Sequence, residues 1–379
     1  MADVFREVSS TSIFGRLGNA IKNVLVGIVL FFVSFGVLWW NEGRAVKTAK
    51  SLEEGKGAVV AVSADAVDAG NEGKLVHITA EAKAEGERAD PAFGVAVPAL
   101  KLKRLVEMYQ WRERKSSETK KKFGGGTETV TTYKYEKEWS DDLEKSGDFK
   151  HPEGHENPAS MPYASETFIA PKVTAGAFAL SSGLVGQIDK WESFPAPAQA
   201  EASPQGLKAL NGTFFKGADP AQPQVGDVRV SFKVVKPATV SVIAKQVGSA
   251  FAPYQTQYDP LEMLEYGTHS AAEMFKAAED ANATLTWILR FVGWLVMAIG
   301  IAMVFGPLVV MADVIPFLGD LLGMGIALFA GLIAAVLSLI TISIAWIFYR
   351  PVLGVALLAG ALVLFFLFKG MGKKKTAAA

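Results

Sequence analysis

The chain has 379 residues, half of them hydrophobic, with 38 basic residues against 38 acidic ones and no cysteine. Zero net charge removes the electrostatic basis for nucleic-acid binding. The absence of cysteine excludes disulfides, thiolate metal sites and cysteine nucleophiles. The balance conceals segregation, because charges crowd between residues 42 and 280 and nearly vanish beyond 290. That contrast divides the chain into a polar domain and a membrane domain.

Residues 1–22 are short and polar, with Arg6 and Arg16. Residues 23–40 form an apolar run between Lys22 and Glu42 that ends in Trp39-Trp40. It is too long for a signal-peptide core, no small-residue cleavage site follows, and paired tryptophans belong to a membrane interface. This run predicts the first transmembrane helix.

Residues 41–283 read as one strand-rich α+β domain. Ala45–Glu54 extends the first helix toward Gly55, a helix stop. Strands are expected at Ala58–Val62 and Leu75–Ala80. Val106–Trp111 and Thr129–Trp139 are expected to pair, with Tyr109 and Trp111 against Tyr133 and Tyr135. Lys115–Gly126 between them reads as a mobile hairpin tip. Gly147–Pro162 and Ala196–Gly206 read as loops. Val228, Val230, Phe232 and Val234 alternate with polar residues as a half-buried strand, and Pro237 is expected to turn the chain into a partner strand, Thr239–Ala244. Ser270-Ala271-Ala272-Glu273 is a capping box, and it opens an alanine-rich helix that continues into the second membrane helix.

Residues 285–368 fall into three apolar runs between the charges Arg290, Asp313, Asp320, Arg350 and Lys369. A crossing helix needs about 20 apolar residues. Together with the first run, these predict four membrane helices. The basic tail, residues 369–379, carries Lys369, Lys373, Lys374 and Lys375 and is assigned to the cytoplasm. An even number of crossings then places the N-terminus there too, and residues 41–283 on the extracytoplasmic or lumenal side. Arg44, Lys47 and Lys50 vote against this, but long translocated domains weigh little in the rule.

Arg290, Asp313, Asp320 and Arg350 are the charges of the membrane block. Intramembrane charge marks function by default, yet each sits at the end of an apolar run, where headgroups or water are within reach. Gly319 and Gly323, Ala327 and Gly331, and Ala356 and Gly360 recur four apart and let helices approach closely in lipid. His151, Glu153, His155 and Glu156 have metal-binding side chains, but Pro152 and Gly154 break the helix that would align them, so no metal site is assigned. His77 reads as an ordinary half-buried strand histidine. Gly124-Gly125-Gly126-Thr127 lacks the Gly-Lys-Ser/Thr of a phosphate loop. No nucleophile elbow or zinc-protease helix occurs, so no catalytic residue, cofactor or enzyme activity is assigned.

Several stretches resemble the transmembrane protein 43 (LUMA) family. They are Asn41-Glu42-Gly43-Arg44-Ala45-Val46-Lys47-Thr48-Ala49, Asn71-Glu72-Gly73-Lys74-Leu75-Val76-His77-Ile78, Val106-Glu107-Met108-Tyr109-Gln110-Trp111 and Gly154-His155-Glu156-Asn157-Pro158. Leu180-Ser181-Ser182-Gly183-Leu184, Val225-Gly226-Asp227-Val228-Arg229-Val230-Ser231-Phe232 and Phe348-Tyr349-Arg350-Pro351 are similar too. The resemblance implies four membrane helices, a lumenal domain after the first, and a membrane-organising role, at the endoplasmic reticulum and inner nuclear membrane in animals. It carries no catalytic residues. The cysteine-free chain looks like a bacterial member, for which the inner membrane is expected. The expected function is a self-associating scaffold in the lipid bilayer that serves other membrane proteins; the alternative is a cation channel or transport-like assembly.

Overall fold

A computed structural model describes residues 3–197 and 206–352. Its helices are α1 (Ile13–Ala58), α2 (Ser182–Gln187), α3 (Ala271–Val304), α4 (Gly306–Ala312) and α5 (Pro316–Tyr349). The chain divides into two units. The strand-rich unit takes the residues up to Val8, Glu54–Glu118 and Val130–Phe275; the helical unit takes Ser9–Glu53, Thr119–Thr129 and the chain from Lys276 onward.

In the helical unit, α1, α3 and α5 are long and apolar enough to cross a membrane. The expected fourth helix falls almost wholly outside the described residues, as do Ala356 and Gly360. Each end has a local cause. Ser12 accepts the Gly15 N–H at 3.2 Å, which starts α1 well before the apolar run. No proline interrupts it, so it passes the paired tryptophans and ends at Ala58. Ser270 and Glu273 form the capping box: the Ser270 N–H donates to Glu273 Oε2 at 2.7 Å, and the Glu273 N–H donates to Ser270 Oγ at 3.3 Å. From there α3 runs unbroken through Asn282 to Val304. Pro307, which has no N–H, then separates α3 from α4. Pro316 opens α5 at the position where a missing donor costs nothing. Arg350 closes it, because a residue followed by proline disfavours helix.

The strand-rich unit holds two large sheets. One has the spatial order Asp3–Thr11, Thr127–Ser140, Lys101–Lys121, Val228–Val235, Thr213–Lys216, Lys208–Leu210. The other is built on Leu75–Ala84 paired with Ala238–Val247. Val228–Val235 alternates buried and partly exposed residues as its pattern predicts, and lies in register with Lys101–Met108, Val230 opposite Val106. It does not form a hairpin with its successor. Pro237 instead sends the chain into the second sheet, where Val242 lies opposite Ile78. Both faces of the turn are rich in valine, so local pattern does not reveal the sheet change. Each sheet has its own core: Val76, Ile78, Phe178, Val240, Val242 and Phe251 in one, and Phe93, Leu102, Val106, Phe214, Val230 and Phe232 in the other.

Two further expectations change. The N-terminal residues read as a polar tail are the strand Asp3–Thr11, a pairing that composition alone does not show. The aromatic ribbon exists with different partners. Tyr109 lies 5.3 Å from Trp139, while Trp111 meets His155 edge-on at 4.7 Å. Tyr135 stacks on His155 at 4.0 Å.

Candidate functional site

Several charges of the helical unit gather into two polar clusters. The first begins where α1 leaves its apolar run. Asn282, Thr286 and Arg290 stand four apart on α3 and so share one face. Asn41 and Arg44 of α1 meet that face. The Asn41 amide donates to the Thr286 carbonyl at 3.1 Å, Arg44 donates to Asn282 Oδ1 and Thr286 Oγ1 at 2.9 Å each, and Asn282 donates to the Ala45 carbonyl at 3.0 Å. One turn further on, Arg290 binds Glu42 with two bonds, from Nε at 2.6 Å and Nη2 at 2.9 Å. Trp346 of α5 donates its indole N–H to the same carboxylate at 2.8 Å. The guanidinium also lies over Trp287 and Trp346, at 4.8 and 5.6 Å. Glu42 is 2% exposed and Arg290 15%. Arg290 therefore takes a protein carboxylate rather than headgroups as its partner.

The second cluster surrounds Asp313, which is fully buried. It takes hydrogen bonds from Arg16 of α1 and, at 2.6 Å, from Lys121. Lys121 also reaches Asp320 at 2.7 Å. Arg16 donates to the Gly125 carbonyl at 2.6 Å, and the Gly124 N–H donates to the Val314 carbonyl at 3.1 Å. The glycine-rich tip expected to be mobile is thus anchored. Gly125 has φ +79°, and a side-chain carbon there would overlap Ile13. A side chain on Gly319 would collide with the Asp313 carboxylate, so its first role is to make room for the cluster. Burial pushes the Asp313 carboxyl up, but the bonds from Lys121 and Arg16 outweigh it and hold it below the ordinary aspartate value.

Between the clusters, α1 and α3 touch at Gly27 and Gly300. A side-chain carbon on Gly27 would lie 2.7 Å from the Gly300 carbonyl, and one on Gly300 would lie 2.8 Å from the Phe31 nitrogen. Neither glycine belongs to the four-apart pairs. A lone glycine inside an apolar run was the available signal. Of the predicted pairs, Gly331 accepts the Trp294 indole at 3.0 Å, Ala327 and Gly331 line an apolar groove with Trp294, Ala298 and Ala302, and Gly323 faces Val309. Arg350 is the cap of α5.

The strand-rich unit has a different centre. His155 is buried among Tyr135, Trp111 and Phe5. Tyr135 donates to Glu113 at 2.5 Å and accepts the His151 N–H at 3.0 Å. Burial first, then the Glu113 carboxylate, push the Tyr135 hydroxyl up to about 12. His155 is thus enclosed by aromatic rings, and among the described residues no group of three or more metal-binding side chains converges. Elsewhere Arg104 binds buried Asp90 at 2.6 Å, and Arg229 binds Glu107 with two bonds over Trp139.

These features define a membrane protein: an apolar helical unit with ion pairs in its interior, joined to a mixed α+β strand-rich unit. Residues 108–351 match the family model for transmembrane protein 43. Mouse transmembrane protein 43 is 38% identical over 348 residues, covering 89% of this chain and 86% of that protein. The human protein is 36% identical over 92% of this chain and 90% of its own, and a Drosophila melanogaster homolog is 32% identical over 89% and 92%. The chain belongs to the transmembrane protein 43 family. No solved structure matches it.

Proposed function

We propose that the chain is a non-enzymatic membrane scaffold that associates with itself and presents its strand-rich unit to other membrane proteins. The observation carrying this reading is how the charges of the helical unit are used. Glu42, Arg290 and Asp313 are each bound by side chains of the same chain, so they hold helices together instead of facing a path for ions. The open groove lined by Ala298, Ala302, Ala327 and Gly331 offers small residues on which a second copy packs closely. Mass measurement after purification in native lipid tests this. Defined oligomers that weaken in Ala298→Trp are expected, with no ion flux from vesicles carrying the protein. A strictly monomeric chain would sink the scaffold reading, and flux sensitive to Asp313→Asn or Asp320→Asn would replace it with a channel.

A further inference from the structure

The outward face of the first sheet is more than a solvated surface. Glu107, Arg229 and Phe215 are register partners on the neighbouring strands Lys101–Lys121, Val228–Val235 and Thr213–Lys216, and so stand in one row on one face. Val106, Val230 and Phe214, one residue away on each strand, turn to the opposite face and enter the core. The alternation of Arg229, Ser231 and Lys233 fits a face open to water, yet Phe215 on that face is only 3% exposed. Trp139 leans across the row to cover it, meeting Phe215 edge-on at 6.3 Å. Pro220, Thr213, Asn211 and Ser231 complete a cleft of about 420 Å³, within the size range of small-molecule sites.

Arg229 and Glu107 are the charged residues of the lining. They are bound twice to each other, from Nε at 2.6 Å and Nη2 at 2.8 Å, so the charge of the cleft is balanced. A strong anion or cation would have to break that pair. The pair still leaves Nη1 as a donor and further lone pairs on the carboxylate. Ser231 and Asn211 each offer both a donor and an acceptor. The Arg229 guanidinium lies 4.6 Å from the centre of the Trp139 ring, which fixes the indole as one apolar wall, with Leu210 and Pro220 also in the lining. Donors mixed with acceptors along an aromatic wall match a ring with hydroxyls at its rim and C–H bonds on its face.

We propose that this cleft binds a neutral saccharide, with the C–H face of the ring on Trp139 and the hydroxyls on Arg229, Glu107, Asn211 and Ser231. The site lies wholly within the strand-rich unit and goes beyond the scaffold reading, on which it does not depend. A free sugar and the end of a longer glycan present the same ring, so chain length separates these two sources in the test.

Saturation-transfer difference NMR tests this on the full-length protein in lipid nanodiscs, free of sugar-based detergent. The probes are D-glucose, N-acetyl-D-glucosamine, maltose and N,N′-diacetylchitobiose, with the charged sugars glucuronate and glucosamine for comparison. Transfer to a neutral sugar, strongest at its ring C–H groups, is expected. Ser231→Tyr fills the cleft from an outward-facing position and should abolish the transfer. Asn211 has φ +51°, which glycine adopts without strain. Asn211→Gly therefore removes the amide with the turn intact and should weaken binding about three- to tenfold. Both variants are compared with the parent by circular dichroism, and if Ser231→Tyr departs from it, Asn211→Gly decides alone. Equal transfer to the monosaccharides and the disaccharides assigns a free sugar, and stronger transfer to the disaccharides assigns a glycan end. The proposal is overturned by no transfer to any neutral sugar, by transfer to the charged sugars as strong as to the neutral ones, or by binding unchanged in the folded variants.

Discussion

Glu42→Leu isolates the energetics of the first cluster. The carboxylate is 2% exposed and receives three hydrogen bonds, two from Arg290 and one from Trp346. Its removal leaves a nearly buried guanidinium with no anion and an indole N–H with no acceptor. Breaking a buried ion pair from one side costs about 3–5 kcal/mol, and the orphaned indole adds on the order of 1 kcal/mol. A loss of about 4–6 kcal/mol is therefore expected. Arg290→Met should cost a similar amount, since it leaves Glu42 as the buried charge. The double variant should cost far less than the two together, because apolar replacement of a whole buried pair is often close to neutral. Denaturant titration in detergent, followed by tryptophan fluorescence, reads all three, as Trp287 and Trp346 both border the pair. Additive losses, with coupling below about 0.5 kcal/mol, would mean that the two side chains do not depend on each other and would refute the reasoning.

Gly300→Ala places a methyl against the backbone of Gly27 and Phe31 and should cost about 1–3 kcal/mol by overpacking. Gly36→Ala, with nothing within 4 Å, is the control and should stabilise slightly by helix propensity; equal effects would remove the glycine contact from the account. Ser270→Ala should cost about 1 kcal/mol by loss of the cap, and Ala278→Pro about 3 kcal/mol by breaking α3, both measured by thermal circular dichroism. Hydrogen-bonded Asp313 has its carboxyl held below the usual value, so its contribution is present above the unfolded pKa and lost as pH falls through the folded one. The tip should stay docked at neutral pH and release only in acid, below the ordinary aspartate range. In Asp313→Asn it should be loosened at every pH, read by the environment of a fluorophore on Phe123→Cys.

Much of this architecture is legible in the residues because it rests on short-range physics. The capping box at Ser270, the proline starts and stops of the helices, and the alternation of Val228–Val235 all act within a few residues. The missed features are those that need a distant partner. Arg290 stands where a snorkelling arginine would, and only its contact with a residue some 248 positions earlier assigns it to Glu42. Asp313 beside Pro316 reads as part of a turn, and its two cations come from other segments. Pro237 gives a good local signal for a hairpin, but the choice between two valine-rich sheets is made by tertiary packing. The glycine-rich tip shows the same limit. Its glycines permit a tight turn, and nothing in them shows that the turn is anchored.

The positions of the clusters along the helices suggest why the polar groups are kept. On α1, Arg16 and Glu42 are about 26 residues apart, and on α5 so are Asp320 and Trp346, or roughly 39 Å in each case. Both helices are therefore tied at matching points, with apolar residues and the Gly27–Gly300 contact between. In lipid, apolar faces have no strong preference for one another over acyl chains, and packing alone leaves helix register loosely defined. Two ionic ties at fixed spacing remove that freedom, because a slip of one turn would separate Arg290 from Glu42 at one end and Asp313 from Arg16 at the other. The net energy of such pairs is small, and their loss from one side only is large. Their effect is to fix a single arrangement of α1, α3 and α5, which gives the helical unit one constant apolar outer surface. A constant surface is what repeated association with lipid, or with a second copy, requires.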